Sequence, residues 1–183
     1  MEICLQNLGM YNEGKHLWKW LTIPFSEEEL NDAFVNIKLG YYDEDGEFHF
    51  GYEENGVLYE EYFITDYCTD GLFEVSEYAN LDEINELAER IESLNKWQLD
   101  DLKSVYEVNG YIDESLDIVE MGDYILLSDV SDEEELGRYV VEEGLFGITI
   151  PDGLMDYIDF EAIGRDWAND YDFVEGGAIC ITR

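Results

Sequence analysis

The chain has 183 residues, and its 46 aspartates and glutamates outnumber its 9 lysines and arginines, giving a formal net charge of −37. Hydrophobic residues still make up 46% and aromatic residues 15% of the sequence, which excludes a disordered acidic tail. With so few cations, binding to the phosphates of nucleic acid or to anionic membranes is also excluded. The composition predicts a folded, soluble polyanion.

The first 76 residues carry the patterns of strands with one helix among them. Short runs predict strands from Ile3 to Leu8 and from Leu17 to Ile23, and Pro24 ends the second. A capping box that begins at Ser26 predicts a helix ending near residue 38. Further strand-like runs are predicted at residues 47–52 and 58–67, on either side of the hairpin dipeptide Asn55-Gly56.

Residues 77–120 show helical periodicity throughout. Asn80 is placed to cap an amphipathic helix, and further helices are predicted from Trp97 to Val108 and over residues 113–120. The apolar stripe of the first helix consists of Leu81, Ile84, Leu87, Ile91 and Leu94.

The remaining residues mix both kinds of element. A strand is predicted from Tyr124 to Ser128, and a second capping box at Ser131 starts a helix that Gly144 ends. Another helix spans residues 159–168, and a C-terminal hairpin joins strands at residues 173–175 and 178–182. The order of elements predicts an α+β fold of three small units: a β-rich unit with one helix (1–76), a helical middle unit (77–120) and a mixed α/β unit (121–183).

The location and redox state follow from simple features of the sequence. No apolar run approaches the roughly 18 residues of a transmembrane helix, and Glu2 follows Met1 where a signal peptide would be basic. We therefore expect a cytoplasmic protein. Cys4, Cys68 and Cys180 are far apart and odd in number, which favours reduced thiols over a disulfide framework or a zinc site.

The sequence offers little for catalysis. His16 and His49 are the two histidines, neither lies in a motif, and no nucleophile elbow or phosphate-binding loop is present. The acidic turn at Asp43 fails the EF-hand register, because Gly46 is its fourth residue and Glu54 its twelfth. We therefore predict no catalytic residue, metal ligand or cofactor, and leave open a weak divalent ion site at residues 43–45.

The distribution of charge is more informative than any catalytic motif. Between Lys38 and Arg90 lie 51 residues with 16 acids and no lysine or arginine, and 34 residues from Ser104 to Gly137 hold 11 acids and no cation. Like charges at helical spacing are unfavourable for the helix that carries them. The pattern favours a surface that presents ordered negative charge to a basic groove.

The net charge also predicts a length. Duplex DNA carries one charge per roughly 1.7 Å of axis, so 37 charges correspond to about 63 Å of duplex. A globule of this chain length would be about 41 Å across. Two unit charges about 10 Å apart in water repel by about 0.4 kcal/mol, so elongation would also relieve repulsion. We expect an elongated chain.

Two segments of the C-terminal third carry a recognisable pattern. The first is ELGRYVVEEGLFG at residues 135–147, followed by Pro151, and the second is YIDFEAIGRD at residues 157–166. NLGMYNEG at residues 7–14 and the strand at residues 18–21 add to the pattern. Together they resemble the ArdA family of antirestriction proteins over nearly the whole chain.

The resemblance implies a non-enzymatic DNA mimic of the kind encoded on mobile genetic elements that enter a bacterium. Such proteins occupy the DNA-binding groove of type I restriction-modification enzymes, on the methyltransferase and specificity core, and inhibit restriction and modification. The implied fold is an elongated, curved chain of three small units that forms a homodimer through the third. Two chains would imitate about 126 Å of duplex, or about 37 base pairs.

The resemblance also implies roles for individual residues. Carboxylates of the first two units would stand in for phosphates; we call these twelve the acidic set: Asp43, Glu44, Asp45, Glu47, Glu53, Glu54, Glu60, Glu61, Asp82, Glu83, Glu86 and Glu89. The motif segment, Leu136–Gly147, matches the family's antirestriction motif near its dimer contact. Its candidates for packing or dimerisation, with two neighbouring acids, are Leu136, Tyr139, Val140, Glu142, Glu143, Leu145 and Phe146.

Three other interpretations remain open. The first is a mimic whose target is a different DNA-binding or defence protein. A hydrolase that uses a carboxylate pair is a second alternative, although pairs arise by chance among 46 acids. A salt-adapted protein, which also accumulates acids, is the third.

Overall fold

The computed structural model describes residues 1–145, 147 and 149–182, and it has the predicted α+β class. Its contacts form two compact units, Met1–Ser93 and Leu94–Arg183. The finer division into three units stays a prediction. Among the helices that the structure describes, none combines the length and apolar composition needed to cross a bilayer.

An antiparallel three-stranded sheet forms the centre of the first unit. Strand β1 (Glu2–Asn7) lies between β2 (Trp18–Thr22) and β7 (Tyr62–Cys68). Ile3 and Leu5 of the central strand are wholly buried. The sheet thus buries β1, the strand that the sequence predicted first.

The end of β1 differs from the prediction. Leu8 was expected to close the strand, but it begins a short helix, α1 (Leu8–Asn12). The Asn7 side chain caps this helix by accepting from the Met10 amide, and its Nδ2 donates to the carbonyls of Ile37 and Lys38. Because Asn7 is wholly buried and bonded at both ends, it turns the chain one residue early.

The predicted helix α2 (Glu27–Asn36) is present with the capping box of Ser26 and Glu29. Two hairpins follow, and the run predicted over residues 58–67 divides between the second hairpin and β7. The first pairs β3 (Gly40–Tyr42) with β4 (Phe48–Phe50), and the second pairs β5 (Tyr52–Glu54) with β6 (Val57–Tyr59).

The backbone explains both the break and the turn in this region. Gly51 has a φ of +94°, which interrupts the run predicted over residues 47–52. Asn55 and Gly56 have φ values of +54° and +77°, as a two-residue hairpin turn requires, so that prediction is confirmed.

Helix α3 (Leu81–Ser93) completes the first unit. Its buried side contains four of the five predicted stripe residues, whereas Leu94 lies beyond the helix and is only half-buried. Asn80 accepts from the Asp82 amide, which confirms its role at the start of the helix.

The second unit contains helices on a three-stranded sheet. The helices are α4 (Lys96–Asn109), α5 (Ile112–Met121), α6 (Glu133–Glu142) and α7 (Phe160–Trp167). The strands, in the spatial order β8-β10-β9, are β8 (Tyr124–Leu127), β10 (Gly177–Ile181) and β9 (Asp172–Val174). The predicted helices and C-terminal hairpin are therefore present.

The cap of α6 lies one residue later than predicted. Asp132, rather than Ser131, is the N-cap, and its carboxylate accepts from the amide of Glu135 at 2.9 Å. The Glu135 carboxylate in turn accepts from the Ser131 amide and hydroxyl, both at 2.7 Å. Asp132 is therefore the cap, because its carboxylate accepts from the helix amide. Ser131 instead donates to the side chain of Glu135.

Two glycines allow α6 and α7 to pack closely. A Cβ atom on Gly137 would overlap the Phe160 carbonyl, and one on Gly164 would overlap the Glu133 carbonyl. Beneath this contact lies a buried core that includes Leu127, Val130, Leu136, Val140 and Ala178. Gly137 and Gly164, one in each of the two recognisable sequence segments, therefore have a packing role.

Candidate partner-binding surface

The acidic set lies entirely in the first unit and is mostly exposed. Its ten exposed members are Glu44, Asp45, Glu47, Glu53, Glu60, Glu61, Asp82, Glu83, Glu86 and Glu89. Asp43 and Glu54 are half-buried. Ten side chains are thus accessible to a partner, and the other two are partly covered.

Asp43 organises the turn between β3 and β4. One carboxylate oxygen accepts from the amides of Asp45 and Glu47 at 3.0 and 2.8 Å, and the other lies 2.9 Å from Nε2 of His49. The bond to His49, followed by those to the backbone, lowers the pKa of Asp43 below its usual value. The negative charge of Asp43 is therefore already engaged by hydrogen bonds within the turn.

Glu54 forms an ion pair. Its carboxylate lies 2.6 Å from Nζ of Lys38, whose ammonium also sits 5.4 Å from the centre of the Tyr52 ring. The hydrogen bond between the two lowers the pKa of Glu54 and raises the pKa of Lys38. Of the twelve carboxylates, Glu54 is thus partly neutralised.

Helix α3 presents its four members of the acidic set on the side opposite its buried stripe; we call these the α3 ridge: Asp82, Glu83, Glu86 and Glu89. Asn85 fixes this helix against the segment before α2. Its Oδ1 accepts from the Phe25 amide at 2.7 Å, and its Nδ2 donates to the Phe25 carbonyl at 3.1 Å. The ridge is therefore held on an anchored helix.

The structure adds acids of α2 that the sequence reasoning missed. Glu27, Glu28 and Asp32 line an open groove of about 710 Å³ together with Glu47 of the acidic set. The Tyr42 hydroxyl, which lines the same groove, donates to Asp32 at 3.0 Å. The sequence did show acids at the start of α2. Acids in the first turn of a helix are common, however, because they favour capping and the helix dipole, so they did not indicate a binding surface.

The motif segment divides into buried and exposed residues. Leu136 and Val140 are wholly buried in the core of the second unit, and Tyr139 packs against that core. Glu142, Glu143 and Leu145 are exposed, and Phe146 lies outside the described residues. Of the two roles predicted, Leu136 and Val140 therefore have the packing role.

The two arginines of the motif segments have partners within α6 and α7. Arg138 lies 3.2 Å from Glu134, and its guanidinium sits 4.4 Å from the centre of the Phe160 ring. Arg165 lies 3.0 Å from Glu161 and 3.4 Å from Glu133. These cations are already paired inside the chain.

Comparison with known proteins bears on the whole chain. No curated protein matched it. A family model described as antirestriction protein (ArdA) matches residues 3–179, which include the acidic set and the motif segment. The chain therefore belongs to the ArdA family of antirestriction proteins.

Proposed function

We propose that this protein is a non-catalytic DNA mimic that occupies the DNA-binding groove of a type I restriction-modification enzyme. The observation that carries the proposal is the exposure of ten carboxylates on the first unit, four of them in order along helix α3. Ordered carboxylates would replace the phosphates of duplex DNA in a groove that is already basic.

The local electrostatics support this mechanism. The α3 ridge places like charges at i,i+3 and i,i+4 spacing, which a helix selected for stability alone would interleave with lysine. The 51 residues between Lys38 and Arg90, which contain the acidic set, have no lysine or arginine. Such a surface would attract a basic partner rapidly, and the attraction would weaken as salt increases.

The same mechanism specifies which activities are blocked. Restriction and modification by a type I enzyme depend on one DNA-binding groove in the methyltransferase and specificity core. A competitor in that groove inhibits both activities, and it needs no cofactor. We place this action in the cytoplasm of a bacterial host that has received a mobile genetic element.

We also propose that the working form is a homodimer formed through the C-terminal part of the chain. Leu145 and Leu154 are 45% and 53% exposed, and Tyr157 is 84% exposed. Exposed large apolar side chains suit an interface between two copies. The family resemblance supports the same region, next to the motif segment.

The proposal is tested with a purified type I enzyme and its DNA substrate. We expect cleavage and methylation to be lost at near-stoichiometric amounts of the protein. Full activity of enzymes from several type I families in the presence of a large excess of protein would exclude the proposed target.

A mimic directed at another DNA-binding or defence protein is the second candidate. The same exposed carboxylates favour it, because they carry no sequence-specific chemistry. Capture of a different DNA-binding protein, combined with inhibition of that protein's DNA binding and none of the type I enzymes, would favour this candidate. A hydrolase would instead lose all activity when one or two carboxylates are replaced.

A further inference from the structure

The hairpin of β3 and β4 has two different faces. Side chains alternate along each strand, and the register pairs Tyr42 with Phe48 and Tyr41 with His49. Tyr42 and Phe48 line the groove beside α2, and Phe48 stacks on Phe34 of that helix. Tyr41 and His49 therefore lie on the other face, while Glu47, at the turn, borders the groove as well.

Three possible metal ligands meet at the turn end of the hairpin. One ligand atom from each of Asp43, Glu47 and His49 lies within 4.8 Å of the other two. The imidazole is placed by two contacts: its Nε2 lies 2.9 Å from Asp43, and the Tyr41 ring stacks on it at 5.3 Å between ring centres. The turn thus brings together donors that are four and two residues apart in the chain.

The chemistry of these donors selects a class of ion. Zinc accepts imidazole nitrogen and carboxylate oxygen at about 2.0–2.2 Å, and such ligands stand about 3.4 Å apart around a tetrahedral ion. Asp43 and His49 are already closer than that, and the Glu47 ligand atom, within 4.8 Å of both, belongs to an exposed side chain that is free to rotate. Calcium prefers six to eight oxygen ligands, and an imidazole does not suit it.

We propose that Asp43, Glu47 and His49 form a surface site for a divalent transition-metal ion of the zinc class, with its fourth position open to solvent or a partner. The site differs from the calcium-like turn considered in the sequence, because it uses His49 and not Asp45. It stands independently of the proposed inhibition of restriction enzymes.

Calorimetric titration of Zn²⁺ into the full chain tests the site. The measurement is made at neutral pH with about 0.15 M salt and an excess of Mg²⁺, so that diffuse binding to the polyanion is saturated. The background carries Cys68→Ser, since Cys68 is an exposed thiol that can itself bind zinc. We expect one ion per chain and at least about a tenfold loss of affinity in His49→Gln.

Two matched variants separate the site from general acidity. Asp45→Asn removes a carboxylate of the same turn that is not in the donor set, and His16→Gln removes the other histidine. Both should keep the affinity within about twofold of the Cys68→Ser background. Equal losses in Asp45→Asn and His49→Gln, or no saturable binding above the Mg²⁺ background, would overturn the proposal and leave an adventitious ion only.

Discussion

At the scale of single residues, the surroundings of each carboxylate decide how much charge it presents to a partner. The charge of Glu54 is partly neutralised by its ion pair with Lys38. The Asp43 carboxylate accepts hydrogen bonds from the backbone of its own turn. Neither contact could be predicted from the sequence. Lys38 reaches Glu54 from sixteen positions away, and it does so from a left-handed backbone conformation with a φ of +56°.

A tyrosine in the second unit gives a prediction about pH. The Tyr124 hydroxyl donates to Asp101, and burial, together with this bond, raises the pKa of Tyr124 above its ordinary value of 10.0. The unfolded chain therefore loses this proton first as the pH rises. The stabilisation is fully present below pH 10.0 and decreases above it, as the pH rises toward the folded-state pKa.

Urea unfolding at pH 8 and at pH 11 measures this effect. We expect the loss of unfolding free energy between the two pH values to be smaller in Tyr124→Phe than in the parent chain. Tyr111→Phe is the matched control, because Tyr111 is 70% exposed. An equal alkaline loss in the parent and in Tyr124→Phe would contradict the assignment.

At the scale of secondary structure, elements with local signals were predictable. The helices α2 to α5 follow from caps and apolar periodicity, and the Asn55-Gly56 turn follows from its dipeptide. Helix α1 was not predictable, because it depends on bonds from Asn7 to carbonyls about thirty residues away. The close contact of Gly137 with α7 has the same cause, since it joins residues distant in sequence.

The contact between α6 and α7 gives a second prediction. Gly137→Ala places a methyl group where the Phe160 carbonyl stands, so the helices must separate. We expect a loss of about 1–3 kcal/mol in the free energy of unfolding, measured with urea. Gly153→Ala is the control, because its Cβ would meet nothing within 4 Å. Equal stability of the two variants would show that the glycine contact is not required.

The α3 ridge gives a third prediction, on activity rather than stability. Replacing its four acids by Asn or Gln should change the free energy of unfolding by less than about 0.5 kcal/mol per site, because these side chains are exposed. Inhibition of a type I enzyme should weaken by at least about tenfold, since several charge contacts of up to about 1 kcal/mol each are lost together. Glu86→Gln alone should change inhibition by less than about threefold.

A charge-matched control distinguishes position from total charge. The variant that replaces Asp100, Asp129, Asp166 and Asp172 by Asn also changes the net charge from −37 to −33, but all four lie in the second unit, outside the acidic set and away from the proposed dimer contact. It should inhibit almost as well as the parent. Equal weakening in both variants would mean that net charge, and not the ridge, determines inhibition.

At the scale of the whole molecule, the excess of acids is the feature that the sequence showed most directly. Its meaning depended on the fold, because only the fold reveals that ten members of the acidic set are exposed on one unit. The role of the motif segment was harder to infer from the sequence. Its pattern suggested both packing and association, and burial assigns Leu136 and Val140 to packing.

The central claim is that the protein and DNA compete for one groove, and inhibition kinetics measure this most directly. Cleavage by a purified type I enzyme is followed at several DNA concentrations and at increasing salt. We predict an apparent inhibition constant that rises linearly with DNA concentration, and inhibition that weakens as salt increases. An inhibition constant independent of DNA concentration would contradict the account, because the protein would then act at a site that DNA does not occupy.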